Sequence, residues 1–182
     1  FIKAGARVTL LAAEPDGRNI NENCGALHPE RMRAAVVEAK ADLGLALDGD
    51  ADRIVAADGN GRLLDGDDIL FLWTLELLRE GKKPEFVVGT VMSNFGLESA
   101  LRDRGIALLR AAVGDRYVVE EMNRTGAVLG GEPSGHLIRS DLGATGDAPH
   151  DPPCGVAVKS QPVGVDEVRS LEPFTHGEID GS

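Results

Sequence analysis

The chain has only two cysteines, Cys24 and Cys154, far apart in 182 residues and in no metal-ligating spacing. That argues against a disulfide framework and for reduced thiols in a cytoplasmic setting. No apolar run is long enough for a bilayer: the most apolar long segment, residues 69–78, is too short and ends in Arg79-Glu80. No signal peptide is visible either. Nor does any basic block offset the formal net charge of −11, which argues against a general nucleic-acid binder. An anionic small-molecule substrate stays compatible, because a metal and a few local cations can bind phosphate on an acidic protein. What is present is the make-up of an ordinary globular protein, with 42% hydrophobic and 27% charged residues. The length suits one large domain or two small ones with a real core. The chain opens on Phe1 inside what reads as an α/β unit, so it is expected to be a piece of a longer protein.

The most informative stretch is Asp48-Gly49-Asp50-Ala51-Asp52-Arg53, set between the apolar runs 43–47 and 54–57. Two short strands with a turn between them project three carboxylates from neighbouring positions. Alternate aspartates converge only if the backbone curls, and Gly49 and Ala51 leave room for that. Three converging carboxylates repel one another unless a hard cation sits among them, and Mg²⁺ or Ca²⁺ prefers oxygen ligands. An EF-hand loop also begins Asp-x-Asp-x-Asp, but it needs Gly at its sixth position and Glu at its twelfth. Arg53 and Gly59 stand there, between strands rather than helices, so that reading fails. The remaining alternative is an Asp-rich turn whose carboxylates only accept from local backbone N–H groups.

Around this stretch the pattern alternates. Residues 8–11 read as a buried strand, 14–17 as a turn, 19–26 as a loop, 29–40 as a helix begun by Pro29, and 43–47 as a strand. Strand–helix–strand predicts a parallel sheet. Asp58-Gly59-Asn60-Gly61 is a hairpin-type turn, and Asp67 or Asp68 can cap an apolar helix over 68–79. A boundary is expected near Arg62. Beyond it come a strand at 86–91, a helix at 94–104, a strand at 106–111, a helix at 114–124 and a strand at 127–129. The fold class is α/β, with two consecutive open mixed-sheet units, the first incomplete. After Asp147 no sustained period remains, and residues 148–182 read as a divergent, poorly ordered tail.

Gly130-Gly131-Glu132-Pro133-Ser134-Gly135-His136 lies at the carboxyl end of a predicted strand, where open α/β sheets place ligands. Glu132 and Ser134 offer an acceptor and a hydroxyl, which suits sugar hydroxyls. A glycine–proline turn with a solvated glutamate is the alternative.

The two loops together, in this order, resemble those of the α-D-phosphohexomutase superfamily. Further support comes from Ile20-Asn21-Glu22-Asn23-Cys24-Gly25, His28-Pro29-Glu30, Val91-Met92-Ser93-Asn94, Val113-Gly114-Asp115-Arg116-Tyr117-Val118 and Thr145-Gly146-Asp147. Within the superfamily the nearest match is the bacterial branch acting on glucosamine phosphates. The resemblance runs from near residue 1 to about 147. It implies four domains around one cleft, of which residues 1–62 would belong to the second (metal) domain and 63–147 to the third (sugar) domain. Asp48, Asp50 and Asp52 would ligate Mg²⁺, and Arg53 would help neutralise the transferring phosphoryl group. Glu132 and Ser134 would bind sugar hydroxyls, with His136 close to the reacting region. The implied partner is a phosphosugar, with no nucleic acid and no membrane, and the longer protein would be a homodimer. The implied reaction interconverts glucosamine 6-phosphate and glucosamine 1-phosphate through a phosphoserine and a bisphosphate sugar.

Three departures stand out. Pro133 replaces the glutamine usual in that branch, the helix expected after Asp147 is missing, and the phosphoserine and phosphate-gripping loops have no counterpart in these residues. Other readings are a phosphomannomutase or phosphoglucomutase, a non-catalytic metal- or sugar-phosphate-binding remnant, and a phosphatase with an aspartate nucleophile.

Overall fold

Residues 66–79 carry apolar side chains around most of the helix circumference, and a helix of that kind is stable only when covered on more than one side. In the computed structural model, which describes residues 1–142 and the backbone of 155–159, this helix is α2 (Gly66–Arg79). Thr145-Gly146-Asp147 and most of the expected tail lie outside the described residues. Before α2 come β1 (Arg7–Leu11), α1 (Glu30–Ala39), β2 (Leu43–Leu47), β3 (Ile54–Asp58) and β4 (Leu63–Leu64). After it come β5 (Phe86–Thr90), α3 (Phe95–Arg102), β6 (Ala107–Ala111), α4 (Asp115–Thr125), β7 (Leu129–Gly131), β8 (Leu137–Arg139) and β9 (Gly155–Lys159). No helix among the described residues is long and apolar enough to cross a membrane.

Two sheets form, in the orders β1-β9-β2-β3-β4 and β6-β5-β7-β8. In the second, β5 pairs in parallel with β6 and β7, and β8 turns back antiparallel. The α/β class is therefore as the pattern indicates, but the first sheet is not parallel. β1 and β2 do run in one direction, yet β9 lies between them and is antiparallel to both. This strand comes from the stretch expected to hold no regular element. β4 and β8, of two and three residues, are too short to leave a periodic signal.

The strand alternation assigns each sheet two covered faces. Met32 and Val36 of α1 pack with Ala41, Ala46 and Ala57 on one face of the first sheet. Val118 and Met122 of α4 pack with Val88, Ala111 and Ile138 on one face of the second. The opposite faces meet α2: Leu43, Leu45, Ile54 and Ala56 from the first sheet join Val87, Leu129 and Leu137 from the second around Ile69, Leu70, Phe71 and Leu77. One apolar cluster thus runs across the boundary expected near Arg62.

The start of α2 is set by a capping box. The Asp65 carboxylate accepts from Asp68 N–H at 3.0 Å, and Asp68 accepts from Asp65 N–H at 3.2 Å. These two orphan donors are satisfied reciprocally, which begins the helix at Gly66 rather than at Asp68. Asp67, in the same turn, is buried, and its Oδ2 accepts from Asn94 N–H at 2.7 Å. Asn94 in turn caps α3 by accepting from Leu97 N–H at 2.8 Å. Burial raises the Asp67 carboxyl above the ordinary range, with the Asn94 N–H working against it.

Two expectations follow. Leu70→Ala removes a fully buried side chain and should cost about 2–5 kcal/mol, seen as a lower urea midpoint. Because Asp67 titrates higher when folded than the unfolded value of about 3.9, its contribution is fully present below that value and is lost as pH rises through the folded pKa. Asp67→Asn keeps an acceptor for Asn94, so it should match the wild type near pH 4 and become the more stable of the two as pH rises. Urea titrations across that range check this.

Candidate functional site

β2 and β3 are hairpin partners, with Leu47 opposite Ile54, so the six residues between them must reverse the chain. Asp48 N–H donates to the Arg53 carbonyl at 3.3 Å, and Ala51 N–H donates to the Asp48 carbonyl at 3.1 Å. Arg53 N–H adds a bond to Asp48 Oδ1 at 3.2 Å. The tight bend falls at Ala51, with a φ of 61° in the left-handed region. That curl brings one oxygen from each of Asp48, Asp50 and Asp52 within 4.8 Å of the others. Like charges so close repel by roughly 1–4 kcal/mol per pair, depending on solvent access.

Asp52 carries the clearest signature. Its Oδ1 is buried and has no hydrogen-bond partner among the described residues. Burial first, then the close approach and charge of the Asp48 and Asp50 carboxylates, raise its carboxyl above the ordinary range, while Arg53 pulls the other way. Arg53 Nε stands 3.7 Å from Asp48 Oδ2 and 3.8 Å from Asp52 Oδ1, too far for good hydrogen bonds. An all-oxygen set with an orphaned oxygen and unrelieved repulsion fits a hard divalent cation. A purely local Asp turn does not account for the orphan, since only Asp48 accepts from a backbone N–H in this loop.

The second loop joins β7 to β8. Glu132 N–H donates to the His136 carbonyl at 2.9 Å, and Gly135 N–H donates to the Glu132 carbonyl at 3.0 Å. The loop is also bonded outward through its main chain. Ile54 N–H donates to the Gly135 carbonyl at 3.0 Å, and Gly66 N–H donates to the Pro133 carbonyl at 3.1 Å. Both contacts need glycine: a methyl group at Gly135 would run into the Ile54 carbonyl, and one at Gly66 into the Glu132 carbonyl. The loop therefore sits directly on the first residue of β3 and on the first turn of α2.

This seating places His136, itself buried, with Nδ1 3.5 Å from Asp52 Oδ2. Asp48, Asp50, Asp52, Arg53 and His136 thus form one group. Glu132 is turned elsewhere: its Oε1 accepts from Gly114 N–H at 2.9 Å, at the start of α4. Ser134 is exposed. The sequence reading named neither Gly66 nor Gly114 as a partner of this loop. The signals were a glycine at the first position of an otherwise strong helix, and the Val113-Gly114-Asp115 turn.

Comparison with known proteins gives a consistent set of likenesses. Residues 65–150 match the family described as "Phosphoglucomutase/phosphomannomutase, alpha/beta/alpha domain III". The chain is 53% identical over 147 residues to a phosphoglucosamine mutase of Alcanivorax borkumensis, covering 81% of this chain and 33% of that protein. It is 54% identical over 147 residues to the phosphoglucosamine mutase of Thioalkalivibrio sulfidiphilus, with the same coverage. Its fold is similar to that of a phosphoglucomutase/phosphomannomutase family protein from Burkholderia thailandensis. There the TM-score is 0.58 and the identity 29%, over 64% of this chain and 26% of that one. The chain spans about a third of the length of the curated relatives it matches.

Gly135 has a φ of 94° and no space for a side chain. Gly135→Ala should cost roughly 1–3 kcal/mol and speed amide exchange at Ile54. Gly81→Ala is the control, because Gly81 also has positive φ, at 73°, but a methyl group there meets nothing within 4 Å. Its smaller loss in thermal unfolding would separate collision from backbone strain.

Proposed function

This chain belongs to the α-D-phosphohexomutase superfamily, and on that premise we propose that it forms the metal-binding and sugar-recognition part of a phosphoglucosamine mutase. The proposed reaction interconverts glucosamine 6-phosphate and glucosamine 1-phosphate through a phosphoserine and a bisphosphate sugar. The observation that carries the reading is the main-chain union of two loops, one gathering three carboxylates with an orphaned Asp52 oxygen and the other holding Glu132, Ser134 and His136.

Asp48, Asp50 and Asp52 would hold Mg²⁺, which when bound offsets negative charge on a transferring phosphoryl group. Arg53 adds a second positive charge on the same side of the site, and its half-exposed side chain is free to turn from Asp48 towards a phosphate. His136 Nδ1 faces Asp52 Oδ2, so the imidazole orients that carboxylate and limits water around it. Glu132 Oε1 is engaged by Gly114 N–H, which steadies the side chain and leaves Oε2 to accept from a sugar hydroxyl. The exposed Ser134 hydroxyl can donate or accept. An acceptor and a two-way group suit a sugar that presents hydroxyls in similar places in two orientations. Pro133, fixed in φ, holds the carbonyl that Gly66 binds and stiffens the loop between the two recognition groups. Catalysis in such a site is chiefly positioning and electrostatics.

Calorimetric titration with Mg²⁺ or Mn²⁺ tests the centre. The wild-type chain should bind, and Asp50→Asn, which removes one ligand, should bind at least about tenfold more weakly. No heat of binding from the wild type, or equal affinity in the variant, would overturn the assignment. With glucosamine 6-phosphate, Mg²⁺ and a bisphosphate primer, these 182 residues alone should show no turnover, because no phosphoserine loop lies among them. Normal turnover would sink that part of the proposal.

A further inference from the structure

The stretch Ile20-Asn21-Glu22-Asn23-Cys24-Gly25 has no part in the roles above, yet it lies against the carboxylate loop at Gly49. It is held firmly. Asn19 folds back on the preceding turn, with its Oδ1 accepting from Asp16 N–H at 3.2 Å and its Nδ2 donating to the Glu14 carbonyl at 2.9 Å. Cys24 is buried, and Ala26 N–H donates to the carbonyl of Leu47, the residue before Asp48, at 3.0 Å. Asn21 and Asn23 both take left-handed conformations, with φ of 59° and 51°. Asparagine tolerates that region better than other side chains with a Cβ.

The Asn21 side chain occupies a slot walled by two glycines. A methyl group at Gly49 would stand 2.8 Å from Asn21 Nδ2, and one at Gly25 would stand 3.1 Å from Asn21 Oδ1 and 2.7 Å from the Leu47 carbonyl oxygen. The slot exists only because neither wall carries a side chain. Gly49 lies between Asp48 and Asp50, so whatever presses on it sets the directions in which those two carboxylates leave the backbone.

We propose that Asn21 is a positioning residue for the carboxylate loop: its amide, wedged between Gly25 and Gly49, fixes the loop so that Asp48 and Asp50 converge with Asp52 before a cation arrives. The inference rests on the metal-site reading given above. Groups that orient metal ligands without touching the metal commonly change affinity by about 10–100-fold.

The test is Mn²⁺ affinity, measured on the full chain by electron paramagnetic resonance of the free ion. Asn21→Gly relaxes the backbone but removes the amide, and it should weaken binding by about tenfold. Asn21→Ala should weaken it as much. Asn23→Ala imposes a comparable backbone cost on an exposed side chain of the same loop, and it should leave affinity unchanged. Gly49→Ala crowds the slot and should weaken binding in the wild type, but much less in the Asn21→Gly background, where only the exposed, flexible Ile20 side chain still faces the new methyl group. That non-additivity is a signature that general destabilisation does not produce. Wild-type affinity in Asn21→Gly, or additive losses for Asn21→Gly and Gly49→Ala, would overturn the proposal while leaving the metal site standing. Failure of the wild-type chain to bind Mn²⁺ would overturn both.

Discussion

Helix α2 has no broad polar face to offer to water, and the fold is arranged around covering it. The first sheet contributes Leu43, Leu45, Ile54 and Ala56 to that cover, and the second contributes Val87, Leu129 and Leu137. Because both sheets lean on one helix, the end of β7 and the start of β3 are drawn to the same place, over the first turn of α2. Gly66 and Gly135 then let two backbones touch where side chains would hold them apart. The proximity of the carboxylate loop to the Glu132–His136 loop is therefore a consequence of hydrophobic packing several residues away. The polar groups add register through two main-chain hydrogen bonds, each worth about 1 kcal/mol, but they did not choose the partners.

The site shows how electrostatic discomfort can be kept. Three carboxylates are crowded, one oxygen is buried unpartnered, and the nearest guanidinium stands too far off to relieve it fully. Such an arrangement survives only where the surrounding packing exceeds its cost. Here that packing is the hairpin of β2 and β3, with the Asn21 side chain against Gly49 and the Gly135 backbone against Ile54. In the proposed metal site, carboxylates already gathered would lose little further entropy on accepting a cation.

Much of this could be read beforehand. The spacing Asp48, Asp50, Asp52 between two apolar runs was enough to foresee a converging hairpin loop, because a two-residue period and a curl leave those side chains few other places to go. The helices were legible from their caps and apolar faces, and α2 differs only because the Asp65–Asp68 box starts it two residues early. Non-local facts were not legible. Nothing near residues 155–159 announces a strand whose place is between β1 and β2. The bond from Gly114 N–H to Glu132 depends on two segments that meet only after the second sheet forms. The burial of His136 against Asp52 likewise follows from the seating of its loop on Ile54, which sequence spacing does not encode.

The position of β9 bears on how the chain is made. A ribosome releases β1 and β2 early, but the strand that pairs with both follows the whole of the second sheet in sequence. Among the described residues, β1 and one edge of β2 have no partner until it emerges, the condition under which nascent chains recruit one another. With synthesis at about 5–20 residues per second, that exposure lasts for seconds, long compared with the formation of a hairpin such as β2–β3 in about 1–10 μs. The nascent first sheet is thus left open for an interval that the rate of synthesis sets. Its vulnerability is measured by translation speed and independent of the stability of the finished fold.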